Sequence, residues 1–461
     1  MSYSMKAIKK IDTLRHFDNQ LWIHPWEDIS HLGNANRPII QKAKGIYLYD
    51  ENGKKIIDGP GGMWCTQIGY GHTEMAKAMA QQIKKLCYSS PFFNTSEIAA
   101  LAASKIINVA PNDLKHIYFT SDGSSANDSA LRFVQFYFNS LGLHQKKHII
   151  AQCHSYHGST HLSASVSSKD KHDELFDITS NKIHFLPSLL RDETQINLSE
   201  DEFLKIKIQE FKDMIANIGP EKIAVFIAEP IQASGGIIIP PQNYLKECSK
   251  ICKQHSILYI SDEVVTGFGR MGHWFASKEV FGIEPDLITC AKGLSSGYVP
   301  IGAVLISDKL IQNLKKYSIL QNDLIFSAGF TYSGHPVSCA AVIKNMDIME
   351  STHLFEHVQE VSRYFQAQLK QFNDLKMVKN TRGMALLACL ECEIPLEDQS
   401  NINPKILNTL TQECLDNGLL VRHFFNKIVL SPPLIITKNQ IDKLFDILYQ
   451  SFKKIEKAYF R

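Results

Sequence analysis

The 461-residue sequence predicts an α/β fold with a large central, mostly parallel sheet and a smaller α+β domain built from the N- and C-terminal segments. Two observations predict it. From about residue 74, short apolar runs rich in β-branched and aromatic residues alternate with helix-length segments, which is typical of parallel strands buried on both faces. After Tyr332 this alternation ends and a long segment rich in helix formers follows, which indicates a separate α+β unit.

The predicted elements follow in chain order. Near the start, strand candidates Gly45–Tyr49 and Lys55–Asp58 flank the turn signal Glu51-Asn52-Gly53. The central strands are predicted at His116–Thr120, Lys147–Gln152, Ile223–Ala228, Ile257–Ser261, Leu287–Cys290 and Gly302–Ser307. Helices then extend to about Phe372, followed by RGMALLACLECE, another helix and the short strand IVLSPPLII. We therefore expect residues 1–73 and 336–461 to form the small domain and residues 74–335 the large one.

Composition and charge exclude several classes of protein. With 44% hydrophobic and 21% charged residues, the chain can bury a substantial core, and 49 basic against 47 acidic residues give a net charge of +2. Such a balance provides no broad field for nucleic acid or an anionic membrane. Ten cysteines are scattered without CxxC pairs, and we assign no metal ligands. Because no signal-peptide core or long apolar run is evident either, we expect a cytoplasmic protein.

Two charged residues at predicted strand ends are candidates for chemistry. Asp262 and Glu263 follow the run YIS, where open α/β sheets bind ligands in the crevice beyond the strand ends. Either carboxylate could instead cap a following turn. Lys292 ends the run LITCA, and a desolvated lysine loses its proton more readily and can attack a carbonyl to form a Schiff base. The alternative is a lysine whose stem is buried and whose amine reaches water.

A third element, FTSDGSSAN from Phe119 to Asn127, joins a predicted strand to a helix expected to begin near Ser125. Small residues at a helix N-terminus expose N–H groups that can bind phosphate, although such clusters are also common in turns. A phosphate site, a Schiff-base lysine and a carboxylate at a strand end are together what pyridoxal 5′-phosphate requires. The lysine holds the cofactor aldehyde and the carboxylate pairs with the pyridine nitrogen.

With these features the chain resembles the class III (omega-amino acid:pyruvate type) aminotransferases of fold type I over nearly its whole length. Nine motifs in the order of that family carry the resemblance, namely DGPGGMWCTQIGYGH, SDGSSAND, HSYHGST, AEPIQASGG, SDEVVTGFGRMG, AKGLSSGYVPIGA, TYSGHP, RGMALL, and GLLVR followed by SPPLII.

The resemblance implies a role for each matched site residue. Lys292 would hold the cofactor and move the substrate proton, and Asp262 would pair with the pyridine nitrogen. Tyr156 and Val264 would contact opposite faces of the ring. Gly123 and Ser124 would bind the phosphate, and Thr331 would reach the phosphate of the neighbouring subunit, which implies a homodimer with composite sites. Whether two dimers form a tetramer stays open.

Some positions depart from the commoner family pattern. The phosphate loop usually reads SGSEAN, whereas Asp122 and Ser125 stand here in place of a serine and a glutamate. An acidic group beside a phosphate would be repulsive, so we expect Asp122 to point away or to cap the helix.

Glu229 and the histidines His72, His157 and His335 are expected to be structural.

The substrate is the least determined feature. Relatives that use 2-oxoglutarate generally pair an arginine with a glutamate, at positions that are Val429 and Ser234 here. Arg422 instead matches the arginine that binds a substrate carboxylate in omega-amino acid:pyruvate and diaminopelargonate aminotransferases, and Trp64 matches an aromatic wall of their pocket. The resemblance therefore implies pyruvate or alanine as co-substrate and an omega-amino acid, diamine or aralkyl amine as partner.

Other activities remain open at this point. Diaminopelargonate (adenosylmethionine-8-amino-7-oxononanoate) aminotransferase shares the arginine and the tryptophan. A decarboxylase or aminomutase could use the same cofactor by cleaving a different bond at Cα. A cofactor-binding protein without turnover is disfavoured by the retained Lys292, Asp262 and Tyr156.

Overall fold

The computed structural model describes residues 11–111, 113–168, 175–178, 181–319, 323–393 and 404–459. The strands are β1 Lys42–Lys44, β2 Tyr47–Tyr49, β3 Lys55–Asp58, β4 Leu114–Thr120, β5 His148–Gln152, β6 Ile183–Leu186, β7 Ile223–Ala228, β8 Leu258–Asp262, β9 Leu287–Cys290, β10 Gly302–Ser307, β11 Val378–Met384, β12 Leu387–Cys392, β13 Leu419–Leu420, β14 Arg422–Phe424 and β15 Lys427–Leu430.

The helices are α1 Ile11–Leu21, α2 Gly61–Trp64, α3 Thr73–Lys85, α4 Glu97–Val109, α5 Gly123–Ser140, α6 His161–Ser165, α7 Glu200–Ile218, α8 Tyr244–Gln254, α9 Ala276–Glu279, α10 Asp308–Tyr317, α11 Pro336–Ser351, α12 Leu354–Leu369, α13 Pro404–Asp416 and α14 Lys438–Tyr459. Within the described ranges, none of these helices is long and apolar enough to cross a membrane.

Seven strands form the central sheet in the order β4-β10-β9-β8-β7-β5-β6. The predicted strands are all present, and β7, β9 and β10 have the predicted bounds. The prediction of a mostly parallel sheet is confirmed, and the exception is β10, which pairs antiparallel with both β4 and β9. A parallel return would need a crossover, usually a helix, whereas residues 291–301 form a short connection around Lys292. The four-residue strand β6 was not predicted.

Both faces of the central sheet are covered, as the continuous apolar runs predicted. Every residue of β7 is buried. Val225 and Ile227 pack in the cluster that contains the α5 residues, whereas Phe226 and Ala228 pack with residues of α7 and α8. Because side chains alternate along a strand, one run of apolar residues supplies both layers of the core.

Two four-stranded sheets lie outside the central one. The first has the order β1-β2-β3-β13, so β13 near the C-terminus pairs with β3 near the N-terminus, and the second has the order β11-β12-β15-β14. The terminal segments thus share a sheet, in agreement with the predicted smaller domain. The domain bounds themselves stay a prediction, and residues 1–10 and 460–461 lie outside the described residues. Strand β15 ends before Pro432-Pro433, which lack the N–H donors that a ladder needs.

The fold brings three predicted chemical segments to one edge. Strands β4, β8 and β9 run in the same direction, since β10 is antiparallel to β4 and β9 and β8 pairs parallel with β9. Their carboxyl ends lead into the α5 N-terminus, Asp262 and Lys292 respectively. This arrangement positions the candidate site.

Candidate active site

A cavity of about 510 Å³ opens at the carboxyl edge of the central sheet. Seven of the nine predicted site residues line it, namely Trp64, Gly123, Ser124, Tyr156, Asp262, Val264 and Lys292. The other two, Thr331 and Arg422, do not belong to its lining. Glu229 and Ser234 also line the cavity, although neither was predicted as a site residue.

The Asp262 carboxylate lies at the end of β8 and is 3% exposed. Its Oδ2 accepts a hydrogen bond of 2.7 Å from Asn127 Nδ2 and lies 2.7 Å from His157 Nδ1, while its Oδ1 accepts from the Val264 N–H at 3.0 Å. Thr289 Oγ1 in turn donates to Asn127 Oδ1. These contacts fix the orientation of the carboxylate toward the cavity.

Two members of this network were missed as site residues. His157 was expected to be structural, yet its ring lies against the Asp262 carboxylate. Asn127 was noted as part of a phosphate loop, and its side chain reaches Asp262 instead. Both lie in quoted motifs, but a contact between residues 127 and 262 depends on the sheet order. We call Asp262, Asn127, His157 and Lys292 the cavity floor.

Lys292 follows β9 in a tight turn with a positive φ of 38°, which is strained for a residue with a side chain. The next residue, Gly293, is close to Gln67, whose Nε2 would lie 2.3 Å from an added Cβ. Burial lowers the pKa of Lys292, against the opposing effect of Asp262, Cys65 and Glu229. A lowered pKa favours the neutral amine, the nucleophilic form of the side chain.

The N-terminus of α5 begins two residues earlier than predicted, at Gly123. Asp122 caps this helix, because its Oδ1 accepts from the Ser125 N–H at 2.9 Å and Ser125 Oγ accepts from the Asp122 N–H. The expectation that Asp122 caps the helix is therefore confirmed. A Cβ on Gly123 would lie 2.9 Å from Val264 Cγ1, so glycine permits this close approach. The N–H groups of Gly123 and Ser124 have no partner one turn earlier in the helix.

Glu229 holds two backbone segments beside the cavity, one at Tyr156 and one at Ala233. Its two carboxylate oxygens accept from the N–H groups of Tyr156 at 3.0 Å and Ala233 at 3.1 Å, which supports the structural role expected for it. Burial raises the pKa of Glu229 to about 7. The Tyr156 hydroxyl lies 3.0 Å from Ser159 Oγ, which also holds the ring at the cavity wall.

Trp64 also lines the cavity, is 2% exposed, and has its ring centroid 5.6 Å from Lys292 Nζ. Arg422 lies behind it on β14. Its Nη1 donates to Met63 Sδ at 2.8 Å and its Cζ lies 4.3 Å from the centroid of the Phe424 ring. We call Met63, Trp64, Arg422 and Phe424 the rim. Burial lowers the pKa of Arg422, and the Tyr156 phenol opposes that shift.

Thr331 lies on an exposed surface of the chain. Its carbonyl accepts from Tyr88 Oη at 3.0 Å. Exposed aromatic side chains lie beside it, with the Tyr88 and Tyr332 rings 6.2 Å apart, and we call Tyr88, Phe92, Phe93 and Tyr332 the exposed aromatic patch. Phe93 is 87% exposed.

These residues fit pyridoxal 5′-phosphate. The α5 N-terminus offers N–H groups for the phosphate, the close packing around Gly123 leaves no room there for a side chain, and Lys292 and a buried carboxylate share the same cavity. The segment at the α5 N-terminus, SDGSSAN, has the form of neither glycine-rich loop that binds dinucleotides or nucleoside triphosphates.

Comparisons with known proteins agree with this fit. A model of the class III aminotransferases matches residues 32–452. The putrescine–pyruvate aminotransferase of Pseudomonas aeruginosa is 36% identical over 427 residues, or 92% of each chain. A probable gamma-aminobutyrate transaminase of Oryza sativa subsp. japonica is 37% identical over 436 residues, covering 91% of this chain and 87% of that protein.

A solved (S)-enantioselective omega-transaminase of Thermomicrobium roseum has a TM-score of 0.90 and 29% identity, covering 99% of this chain and 100% of its own. Sequence, cavity and fold agree over almost the whole length. The chain therefore belongs to the class III aminotransferases, which depend on pyridoxal 5′-phosphate.

Proposed function

We propose that this aminotransferase moves an amino group between pyruvate and an amine or omega-amino acid in a ping-pong reaction. The proposal rests on the position of Arg422. This half-buried cation lies near Trp64 and takes part in none of the ion pairs among the described residues. A guanidinium so placed suits a substrate carboxylate, to which it can donate two parallel hydrogen bonds.

The residues at the two positions that bind 2-oxoglutarate in relatives, Ser234 and Val429, also favour pyruvate over 2-oxoglutarate here. Ser234 lines the cavity without a charge, and Val429 is a buried apolar residue of β15 opposite Arg422 on β14. Neither offers a second cation for the distal carboxylate of a dicarboxylic acid. The similarity to a putrescine–pyruvate aminotransferase also favours pyruvate, and it favours a diamine among the donors.

Bound pyridoxal phosphate supplies an electron sink for the bond broken at the substrate Cα. We assign Lys292 to holding the cofactor and to carrying the Cα proton on its Nζ, a role that its lowered pKa favours. Asp262, held by Asn127 and His157, would place a negative charge beside the pyridine nitrogen. Tyr156 and Val264 would hold the ring, and Gly123 and Ser124 would bind the phosphate.

We propose further that the enzyme is a cytoplasmic homodimer with composite sites. The exposed aromatic patch around Thr331 supports a second copy as its partner, because apolar area of this kind is typical of interfaces.

The cysteines support the proposed compartment. Seven of the ten are buried and all ten are unpaired, which favours a reducing compartment.

The dimer can be tested by sedimentation velocity. Phe93→Asp should shift the enzyme toward monomer and lower its retention of cofactor, whereas Ile206→Asp, an exposed change on α7, should do neither. A fully dimeric Phe93→Asp variant that retains its cofactor would contradict the composite site.

The function itself is tested with a panel of donors and pyruvate. The donors β-alanine, taurine, putrescine, diaminopelargonate and an aralkyl amine (α-methylbenzylamine) are supplied in turn, and alanine and CO₂ are both measured. We expect alanine in amounts equal to the donor consumed, with no CO₂. Release of CO₂ would favour a decarboxylase, and isomerised product without alanine would favour an aminomutase. Turnover that requires S-adenosylmethionine with 8-amino-7-oxononanoate, its partner in that reaction, would favour the diaminopelargonate activity.

A further inference from the structure

Met63 and the Arg422 guanidinium meet across the rim. The Arg422 Nη1 group donates to the thioether sulfur of Met63 at 2.8 Å, and the guanidinium lies over the Phe424 ring at 4.3 Å. The Phe424 ring in turn lies 6.3 Å from the ring of Trp64, which lines the cavity. The arginine is thus held by a sulfur atom and an aromatic face, one layer behind the cavity wall.

The segment that presents Met63 is fixed by its neighbours. The buried Asp58 carboxylate accepts from the Gly62 N–H and from the Tyr70 hydroxyl, both at 2.6 Å. A Cβ on Gly61 would lie 2.4 Å from the Ser431 carbonyl oxygen, so the backbone here contacts the segment after β15 directly. These contacts hold the backbone that leads into Met63, and the Met63 sulfur itself contacts Arg422.

A thioether holds a guanidinium without neutralising it. Sulfur is a weak acceptor, and a cation over an aromatic ring keeps its full charge. The ion pairs among the described residues do not include Arg422, so its charge is available to a ligand. A carboxylate that binds through the Nη1 hydrogen now donated to Met63 displaces the sulfur, whereas a substrate without a carboxylate leaves that contact in place.

We propose that Met63 is a positioning residue that sets the selectivity of the enzyme between substrates with and without a carboxylate, through its contact with Arg422. This inference rests on the proposed role of Arg422 in the transamination. When a carboxylate-free amine is bound, Met63 and Phe424 keep the guanidinium away from the apolar substrate. When pyruvate or alanine is bound, the same contact competes with the carboxylate and weakens its binding.

The test is Met63→Leu, which keeps the apolar bulk and removes the acceptor. In the holoenzyme, we expect the Kd of propionate, a carboxylate without amine or carbonyl, to fall about threefold by calorimetry, since one weak hydrogen bond no longer competes. The KM for the donor α-methylbenzylamine should rise by a similar factor of about three, because the arginine is less well held. Met79→Leu, a similar change on α3, should alter neither value. Unchanged values in Met63→Leu would overturn the inference.

A second background separates this inference from the proposed function. In an Arg422→Leu enzyme, Met63→Leu should have no effect on either value, because the residue acts through the arginine. Equal effects with and without Arg422 would mean that Met63 merely shapes the pocket, which would also overturn the inference. If Arg422→Leu leaves propionate and pyruvate binding unchanged, the proposed function fails as well. If it weakens them while Met63→Leu has no effect, the function stands and the inference alone fails.

Discussion

The floor and the rim of the cavity differ in the strength of the contacts that hold their charged groups. On the floor, the Asp262 carboxylate is buried and contacts an amide, an imidazole and a backbone N–H within 3.0 Å. On the rim, the Arg422 guanidinium is half-buried and contacts a thioether and an aromatic ring. Strong contacts preorganise a group for one chemistry, whereas weak contacts let a group respond to its ligand.

This difference separates residues expected to act on the cofactor from residues expected to act on the substrate. Floor residues should affect every substrate alike, because they act on the cofactor. Rim residues should affect substrates according to whether they carry a carboxylate. Substitutions on the floor and on the rim test this separation.

The largest effect is expected for Lys292→Ala on the floor. Turnover should fall below detection with every donor, because the Cα proton then has no carrier, and any cofactor should be held noncovalently. Steady-state rates and the visible spectrum of the dialysed protein measure this. Lys212→Ala, an exposed lysine on α7, is the control. Sustained turnover of the Lys292 variant at the wild-type rate would contradict its role.

The next effect is expected for Asp262→Asn, which keeps the shape of the side chain and removes its charge. We expect kcat to fall about 10²- to 10³-fold for all donors, because a preorganised charge beside the reacting group is lost. Rates with putrescine and with β-alanine should fall by the same factor. A loss confined to one donor would place Asp262 in substrate selection and would break the proposed separation.

A smaller and selective effect is expected for Arg422→Leu on the rim. The KM for pyruvate should rise about 10- to 100-fold, since a charge-assisted hydrogen-bonded contact is lost. The KM for putrescine should change little. Steady-state kinetics with each substrate varied in turn distinguish the two cases. An equal rise for both substrates would mean that Arg422 supports the pocket rather than a carboxylate.

The smallest effect concerns pH and stability. The pKa of Glu229 is raised from 4.5 to about 7 by burial, so between these values the folded protein holds a proton that the unfolded chain has lost. The stability contributed by Glu229 is therefore greatest below pH 4.5 and declines as the pH rises to 7. Glu229→Gln should flatten the decline of Tm across this window. A variant with the wild-type slope would show that other groups cause it.

The sequence predicted two floor residues from its own pattern, whereas Trp64 and Arg422 on the rim were predicted only through the family resemblance. Lys292 and Asp262 follow apolar runs of strand length, and the ends of parallel strands meet at one edge, so their meeting could be predicted. The link between Asn127, His157 and Asp262 could not, because it depends on which strands are neighbours in the sheet. The contact between Met63 and Arg422 joins residues 359 positions apart, and the direction of β10 depends on a short connection around Lys292.

The most direct test of amino-group transfer to pyruvate follows the bound cofactor through its two half-reactions by visible absorbance. One equivalent of putrescine, added without an acceptor, should remove the visible absorbance of the resting holoenzyme. Pyruvate should then restore that absorbance with release of one equivalent of alanine. An absorbance that putrescine and the other donors leave unchanged, or one that pyruvate cannot restore, would contradict amino-group transfer to pyruvate at this site.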